Sequence, residues 1–375
     1  MTQISPDKVL AKIIDCGKGI LFYHFANADG KIWLMPAKGL RTAMGLYQPS
    51  GSKGKLLKCL FPLLHHSRLV RKAIHTQTIN CQLKQELQLL LAGLFHAENL
   101  QTAIFCGTPS VHQKITMQVS QDQSILGYCK ISEDESIAHL FQKESNLLKF
   151  LTDAGIQGIP HILFCGCTEE GIHLLVQTTI KTTNSQVLHQ WTSLHENFLQ
   201  QLYQKTQQCL PFEKTDFYHQ LQSLMNHLEW LPDETMAQTI KRGYHHLLKK
   251  WQGQEVTFAV CHADFTPWNM FVEKGQLFVF DWEYAQRTYP LHLDRYHFFT
   301  QTAIFERKWN AQDILPYIHS PQGQWIDRDT YIAYLMDTIA RFTLREQGKP
   351  SGNTEQMIRL WSIVLETLTP KDLEV

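Results

Sequence analysis

His262, Asp264, Asn269 and Asp281 are the residues whose types and spacing do chemistry together in this chain. His262-x-Asp264 is followed by Asn269 five positions after the aspartate, and an apolar run then ends in Asp281. Kinase-type phosphoryl transfer needs such a set. One aspartate accepts or orients the proton of the attacking hydroxyl, while an asparagine and a second aspartate hold magnesium against the nucleotide phosphates. Asp264 is placed as the catalytic base. Asn269 and Asp281 supply the hard oxygen ligands that magnesium prefers. His262 reads as structural support, bonded to backbone near Asp281, and Glu283 as a further magnesium or substrate ligand. The plainer alternative for Asp264 is a loop aspartate that caps a turn. The pattern H-x-D-x-x-x-x-N arises by chance roughly once in twenty chains of this length, so its weight depends on what lies upstream.

Two charged residues lie there in the expected order. Lys130 comes late in a predicted strand, Gly127-Tyr128-Cys129-Lys130-Ile131, and Glu144 sits inside the helix that follows. In kinase-type sites a strand lysine contacts the α- and β-phosphates and a helix glutamate fixes it. The turn expected to cover the phosphates is Gly107-Thr108-Pro109-Ser110. It offers one glycine, and Pro109 has no backbone donor. Gly107, Thr108 and Ser110 are the candidate nucleotide contacts through amides and hydroxyls. A second glycine-rich loop, Gly51 to Gly54, fails as a phosphate loop because Pro49 stands where the first glycine of G-x-x-x-x-G-K belongs.

The elements that must position these groups divide the chain in three. Residues 1–100 form an N-terminal α/β extension of unassigned role. Within it, apolar runs at 19–25 and 31–35 flank Asn27-Ala28-Asp29-Gly30 as a β-hairpin, and 55–74 reads as a helix broken at Pro62. Residues 101–180 form a small β-rich nucleotide-binding lobe. Its strands fall at 102–105, 114–119, 125–131, 162–165 and 172–176, around a helix from Ser136, its N-cap, to Leu151. Residues 181–375 form a larger, mostly helical lobe carrying the catalytic loop. Helices are predicted at 187–202, 217–230, 236–251, 296–305, 329–343 and 354–368. Phe258-Ala259-Val260 runs into His262 as a buried strand would.

CHADFTPWNMFV followed by VFDWEYA resembles the catalytic core of the aminoglycoside phosphotransferase and choline kinase family. In that family the loop is H-G-D-x-x-x-x-N and the magnesium aspartate sits in a D-[FW]-E context; here Ala263 replaces the glycine. The resemblance covers about residues 102 to 310. It implies an α+β, bilobal protein-kinase-like fold, ATP and Mg2+ as cofactors, and transfer to a hydroxyl of a small molecule such as an amino alcohol, sugar or antibiotic. Lys130 and Glu144 match the family's lysine and helix-glutamate positions. Between Lys181 and Gln254 six acids face seven Lys/Arg, too few carboxylates for a polycation pocket. A sugar or saccharide intermediate therefore fits better. The alternatives are a protein or peptide kinase and a non-catalytic binding module on the same scaffold.

Bulk properties narrow the setting. With 35 Lys+Arg against 35 Asp+Glu the net charge is zero, which gives no reason to expect a nucleic-acid partner. No apolar run reaches the length of a membrane span. Nine scattered cysteines without a CxxC pair predict a cytoplasmic, reducing setting. The doublets His65-His66 and His245-His246 lack partners at metal-site spacing and read as structural or surface. No acid occurs between Asp29 and Glu86, while ten Lys/Arg fall there. Such a stretch is either a solvated positive face or a peripheral contact for a membrane through the basic 31–84 region.

Overall fold

The computed structural model describes residues 6–27, 30–49, 51–107, 114–350 and 352–370. Eight antiparallel strands form one sheet: β1 (Ile14–Ala26), β2 (Ile32–Pro36), β3 (Gln77–Leu83), β4 (Gln101–Cys106), β5 (Ile115–Gln121), β6 (Ser124–Ser132), β7 (Ile162–Cys167) and β8 (His173–Thr178). Their order is β3-β1-β2-β4-β5-β6-β8-β7. The period-two alternation of strands gives this sheet two apolar faces. Phe22 packs with Leu34, Ile104, Met117, Ile131 and Leu174 on one, while its neighbour Tyr23 packs with Phe25, Trp33, Met35 and Phe61 on the other. β6 carries Lys130. Gly127 on the same strand is required by crowding, because a Cβ there would lie 2.2 Å from the Gln177 carbonyl oxygen and against the Phe95 ring.

The contacts divide the chain into two units. The first comprises residues 1–152, 157–186 and 271–278, and the second 153–156, 187–270 and 279–375. No division falls at residue 100. β2 pairs with β4, setting Trp33 opposite Phe105, so β1, β2 and β3 extend the same sheet that holds β4 to β8. The first unit thus holds the large sheet of an α+β chain, and the second unit most of its helix. In that second unit, helices Ser193–Thr206, Asp216–Met225, Glu234–Trp251, Leu293–Phe305, Ala311–Ile318, Arg328–Glu346 and Gly352–Leu368 surround a three-stranded sheet. That sheet is formed by β9 (Gln208–Pro211), β10 (Glu255–Cys261) and β13 (Gln286–Pro290), with β10 central. β11 (Met270–Glu273) and β12 (Gln276–Val279) form a two-stranded ribbon.

Several local expectations need correction. Residues 187–192 are not helical: Thr192 and His195 form a reciprocal capping box, so the helix starts at Ser193. The helix expected over 217–230 stops at Met225, with a 3₁₀ turn at Leu228–Trp230. Ser136 lies in the first turn of helix Glu135–Asp153, and its amide donates to Asp134 Oδ1 at 2.7 Å, so the aspartate is the cap. Pro62 lies inside helix Ser52–Leu64. The break comes at residues 65–67, where Ser67 caps the next helix, Arg68–Ala73. Ala28 and Asp29 of the predicted hairpin turn lie outside the described residues. His65 is buried against the Tyr23 hydroxyl at 2.7 Å, and His246 contacts Asp329.

Candidate active site

β10 is buried from Phe258 to Cys261 and delivers His262 at its end. The chain then turns through Ala263, whose φ of +64° is left-handed. This conformation costs a residue with a Cβ about 1 kcal/mol. Asp294, 1% exposed near the start of helix Leu293–Phe305, holds the turn. Its carboxylate accepts from His262 N at 2.8 Å, from Ala263 N at 2.9 Å and from Cys261 Sγ at 3.3 Å. Burial and the adjacent Asp294 charge push the Cys261 thiol well up, which keeps it a neutral donor.

The His262 ring is a brace. Its Nδ1 accepts from Asp264 N at 3.2 Å, which leaves Nε2–H to donate to the Phe280 carbonyl at 3.0 Å. Burial lowers its pKa and so favours the neutral ring this arrangement needs. Asp281 follows Phe280 with φ +67°, just beyond β12 rather than within a strand. Phe280 N also donates to Asn269 O at 3.0 Å, closing the loop at its far end.

Asp264 has a side chain 30% exposed, with both carboxylate oxygens engaged. Asn269 Nδ2 donates to Oδ2 at 2.6 Å and to the Asp264 carbonyl at 3.0 Å. His297 Nε2 lies 3.1 Å from Oδ1. A carboxylate held from two sides and still open to solvent can present an oxygen to a hydroxyl in a set orientation. Carboxylate oxygens of Asp281 and Glu283 lie within 4.8 Å of each other. One divalent cation with ligand distances of about 2.0–2.6 Å spans such a gap.

The first unit contributes the other predicted pair. Lys130 Nζ lies 2.8 and 2.7 Å from the two oxygens of Glu144, with side chains 6% and 0% exposed. Lys130 faces Thr116 in the β5–β6 register, and Glu144 sits on the buried face of helix Glu135–Asp153. Gly107 directly follows β4, and among the described residues the nearest atom to a Cβ there is Lys114 O at 3.9 Å. Thr108 and Ser110 lie outside the described residues.

Residues without a sequence motif complete the second unit's site. A cavity of about 70 Å³ is lined by Asp264, Tyr284, His297, Gln301, Arg341, Phe342 and Arg345, which is room for roughly two waters or one small ionic group. Arg341 Nε donates to Asp337 Oδ2 at 2.9 Å. Burial opposes the charge of this guanidinium, but Asp337, with Tyr289 and Asp264, more than offsets that and holds its pKa above the ordinary value. Gln301 Nε2 and His297 Nδ1 are buried without a hydrogen bond among the described residues. A signal for these residues exists in the sequence: Asp337, Arg341 and Arg345 recur every fourth position along a helix otherwise rich in buried apolar residues, and such charges need a local reason.

Residues 130–292 match the profile of the phosphotransferase enzyme family, APH. No curated protein matches the chain in sequence. Among solved structures, aminoglycoside phosphotransferase APH(4)-Ia superposes with a TM-score of 0.50 at 13% identity, covering 76% of this chain and 98% of that one. A thermostable variant of it, in ternary complex with AMP-PNP and hygromycin B, gives 0.50 at 13% identity, covering 77% and 100%. Another variant, with ADP and hygromycin B, gives 0.50 at 12% identity, covering 76% and 99%. Identities this low speak to the fold, which is protein-kinase-like. Over residues 130–292, then, the chain carries the sequence signature of the phosphotransferase enzyme family on that fold.

Proposed function

We propose that the protein is an ATP- and magnesium-dependent phosphotransferase that moves the γ-phosphate to a hydroxyl of a small molecule. The observation that carries the reading is Asp264, an accessible carboxylate oriented by Asn269 and His297 in a loop tied to Asp294. In this reading the acceptor hydroxyl donates to Asp264, which takes its proton as the oxygen attacks phosphorus. Lys130, fixed by both oxygens of Glu144, contacts the α- and β-phosphates of ATP. Asp281, Asn269 and Glu283 are the magnesium ligands. The close pair of carboxylates suits a divalent cation, and both Asn269 N–H groups are spent on Asp264, which leaves its carbonyl oxygen as the ligand atom. The metal, when bound, offsets phosphate charge. Residues 101–180 with the preceding strands are the nucleotide-binding part, and 181–375 the catalytic and acceptor-binding part.

The lining beside Asp264 supports a sugar or saccharide intermediate bearing an anionic group. The lining residues include Arg341 and Arg345, which keep further N–H groups beyond those given to Asp337 and Glu346, and Gln301 Nε2, which has no hydrogen bond among the described residues; Asp264 is the one carboxylate among these lining residues. A polycationic antibiotic would meet like charge there. Nine free thiols support a cytoplasmic setting. The test incubates the protein with ATP, magnesium and metabolite pools and looks for a phosphate mass gain. Asp264→Asn should slow the transfer by about 10²- to 10⁴-fold. No transfer to any small molecule, or an equally active Asp264→Asn, overturns the reading.

A further inference from the structure

Helices Ser52–Leu64 and Arg68–Ala73 have an unusual outer surface. At 100° per residue, Leu56, Leu60, Leu63 and Leu64 share one stripe about 100° wide on a helix of roughly 20 Å. All four are exposed, Leu63 to 76%, and Leu69 on the next helix is 81% exposed. The other face explains why the stripe points outward: Phe61 is buried and packs edge-on against Tyr23 and Phe25. Arg71 ties the corner between the helices, donating through Nη1 to the carbonyls of His65 and His66 at 2.7 and 3.0 Å. Five exposed leucines within fourteen residues are a patch of the kind that marks an interaction surface.

The charges around the patch identify its partner. Lys53, Lys55, Arg68 and Lys72 are exposed among the leucines, and none of the four forms an ion pair among the described residues. No acid occurs from residue 30 to residue 85, so the segment's field is uniformly positive. A second copy of the same face would bring like charges together. An anionic bilayer surface answers both components, taking leucines to the depth of the acyl boundary and cations at the headgroups. We propose that these two helices form an in-plane docking surface for anionic lipid bilayers. Among the described residues no helix is long and apolar enough to cross a membrane, so the attachment is peripheral. The proposal requires nothing of the phosphotransfer reading and stands or falls apart from it.

The test is co-sedimentation of the full chain with phosphatidylcholine vesicles, with and without phosphatidylglycerol. With about one third phosphatidylglycerol, partitioning should rise at least about tenfold over neutral vesicles, each cation contributing roughly fivefold. It should fall steeply between about 0.1 and 0.5 M salt. Leu63→Ser/Leu69→Ser should weaken binding about tenfold or more, with Tm unchanged because both side chains face solvent. Lys53→Gln/Lys55→Gln should remove most of the preference for anionic lipid, and it decides the matter should the leucine pair disturb folding. Equal partitioning to both vesicles, or none to either, overturns the proposal. So does a self-associated protein that the leucine variant returns to monomer, which would assign the face to a second copy.

Discussion

Replacing Asp294 by asparagine asks whether the loop bearing Asp264 is held from helix Leu293–Phe305. The carboxylate accepts from His262 N at 2.8 Å and Ala263 N at 2.9 Å, and it is 1% exposed. Asparagine keeps the shape but has one acceptor oxygen, so one of these buried amides would face an N–H₂ donor. An unsatisfied buried donor costs about 1–3 kcal/mol, and the surviving bond loses its charge assistance, roughly another 1 kcal/mol. Removing a buried charge returns roughly 1 kcal/mol of this, leaving a net loss of about 1–3 kcal/mol. The change should appear as a roughly 5- to 150-fold fall (about 1–3 kcal/mol) in hydrogen-exchange protection of the 261–263 amides. Loss of turnover should be about 10²-fold if Asp264 shifts by about 1 Å. Ala263→Gly in the Asp294→Asn background should regain less than about 1 kcal/mol, since glycine takes φ +64° without strain but loses more entropy on folding. Unchanged protection with full activity in Asp294→Asn would refute the clamp.

Two further outcomes follow from buried groups elsewhere. Glu144→Gln removes the charge of the carboxylate held against the Lys130 ammonium, whose side chain is 6% exposed, and should cost up to about 3–5 kcal/mol. Lys130→Met/Glu144→Leu should be close to neutral in Tm yet lose the thermal shift with magnesium–ATP; an unaltered nucleotide shift would remove this pair from the site. The second concerns pH. Burial lowers the pKa of His195 to about 4 and also lowers that of His262. Below about pH 6.5 the unfolded chain therefore binds protons that the folded chain refuses, and stability falls as pH drops toward 4. His195 accounts for up to roughly 3 kcal/mol, fully present above its unfolded pKa. Urea titrations at stepped pH should show a shallower acid loss for His195→Gln, and an identical slope would exclude His195 as the source.

The parts of this architecture legible in the sequence are those with local causes. Alternating apolar residues around Lys130 predict a strand, and β6 is there. The stripe from Ile137 to Leu151 predicts a helix, which spans Glu135–Asp153. Helix ends are less legible, because apolar periodicity continues past the caps: Val187, Leu188 and Trp191 fit the stripe, but the capping box of Thr192 and His195 starts the helix at Ser193. The separation of residues 1–100 also follows from local reading. Only the pairing of Trp33 with Phe105, seventy-two positions apart, reveals that one sheet continues across that point.

The same distinction divides the candidate site. Asp264 and the proposed magnesium ligands sit in one short stretch, 264–283, but the bonds that aim the loop come from afar: Asp264 to His297 across 33 positions, Ala263 to Asp294 across 31, His262 to Phe280 across 18. His297 and Asp294 are buried and Phe280 is half-buried; each spends hydrogen-bonding capacity on the loop, and a lone histidine or aspartate on a helix has no pattern that announces this. The consequence is physical. A motif transplanted without helix Leu293–Phe305 would keep its sequence and lose its geometry, because the left-handed turn at Ala263 is unfavourable by itself and persists only while Asp294 holds both flanking amides. The precision at Asp264 is thus a property of tertiary packing around the motif.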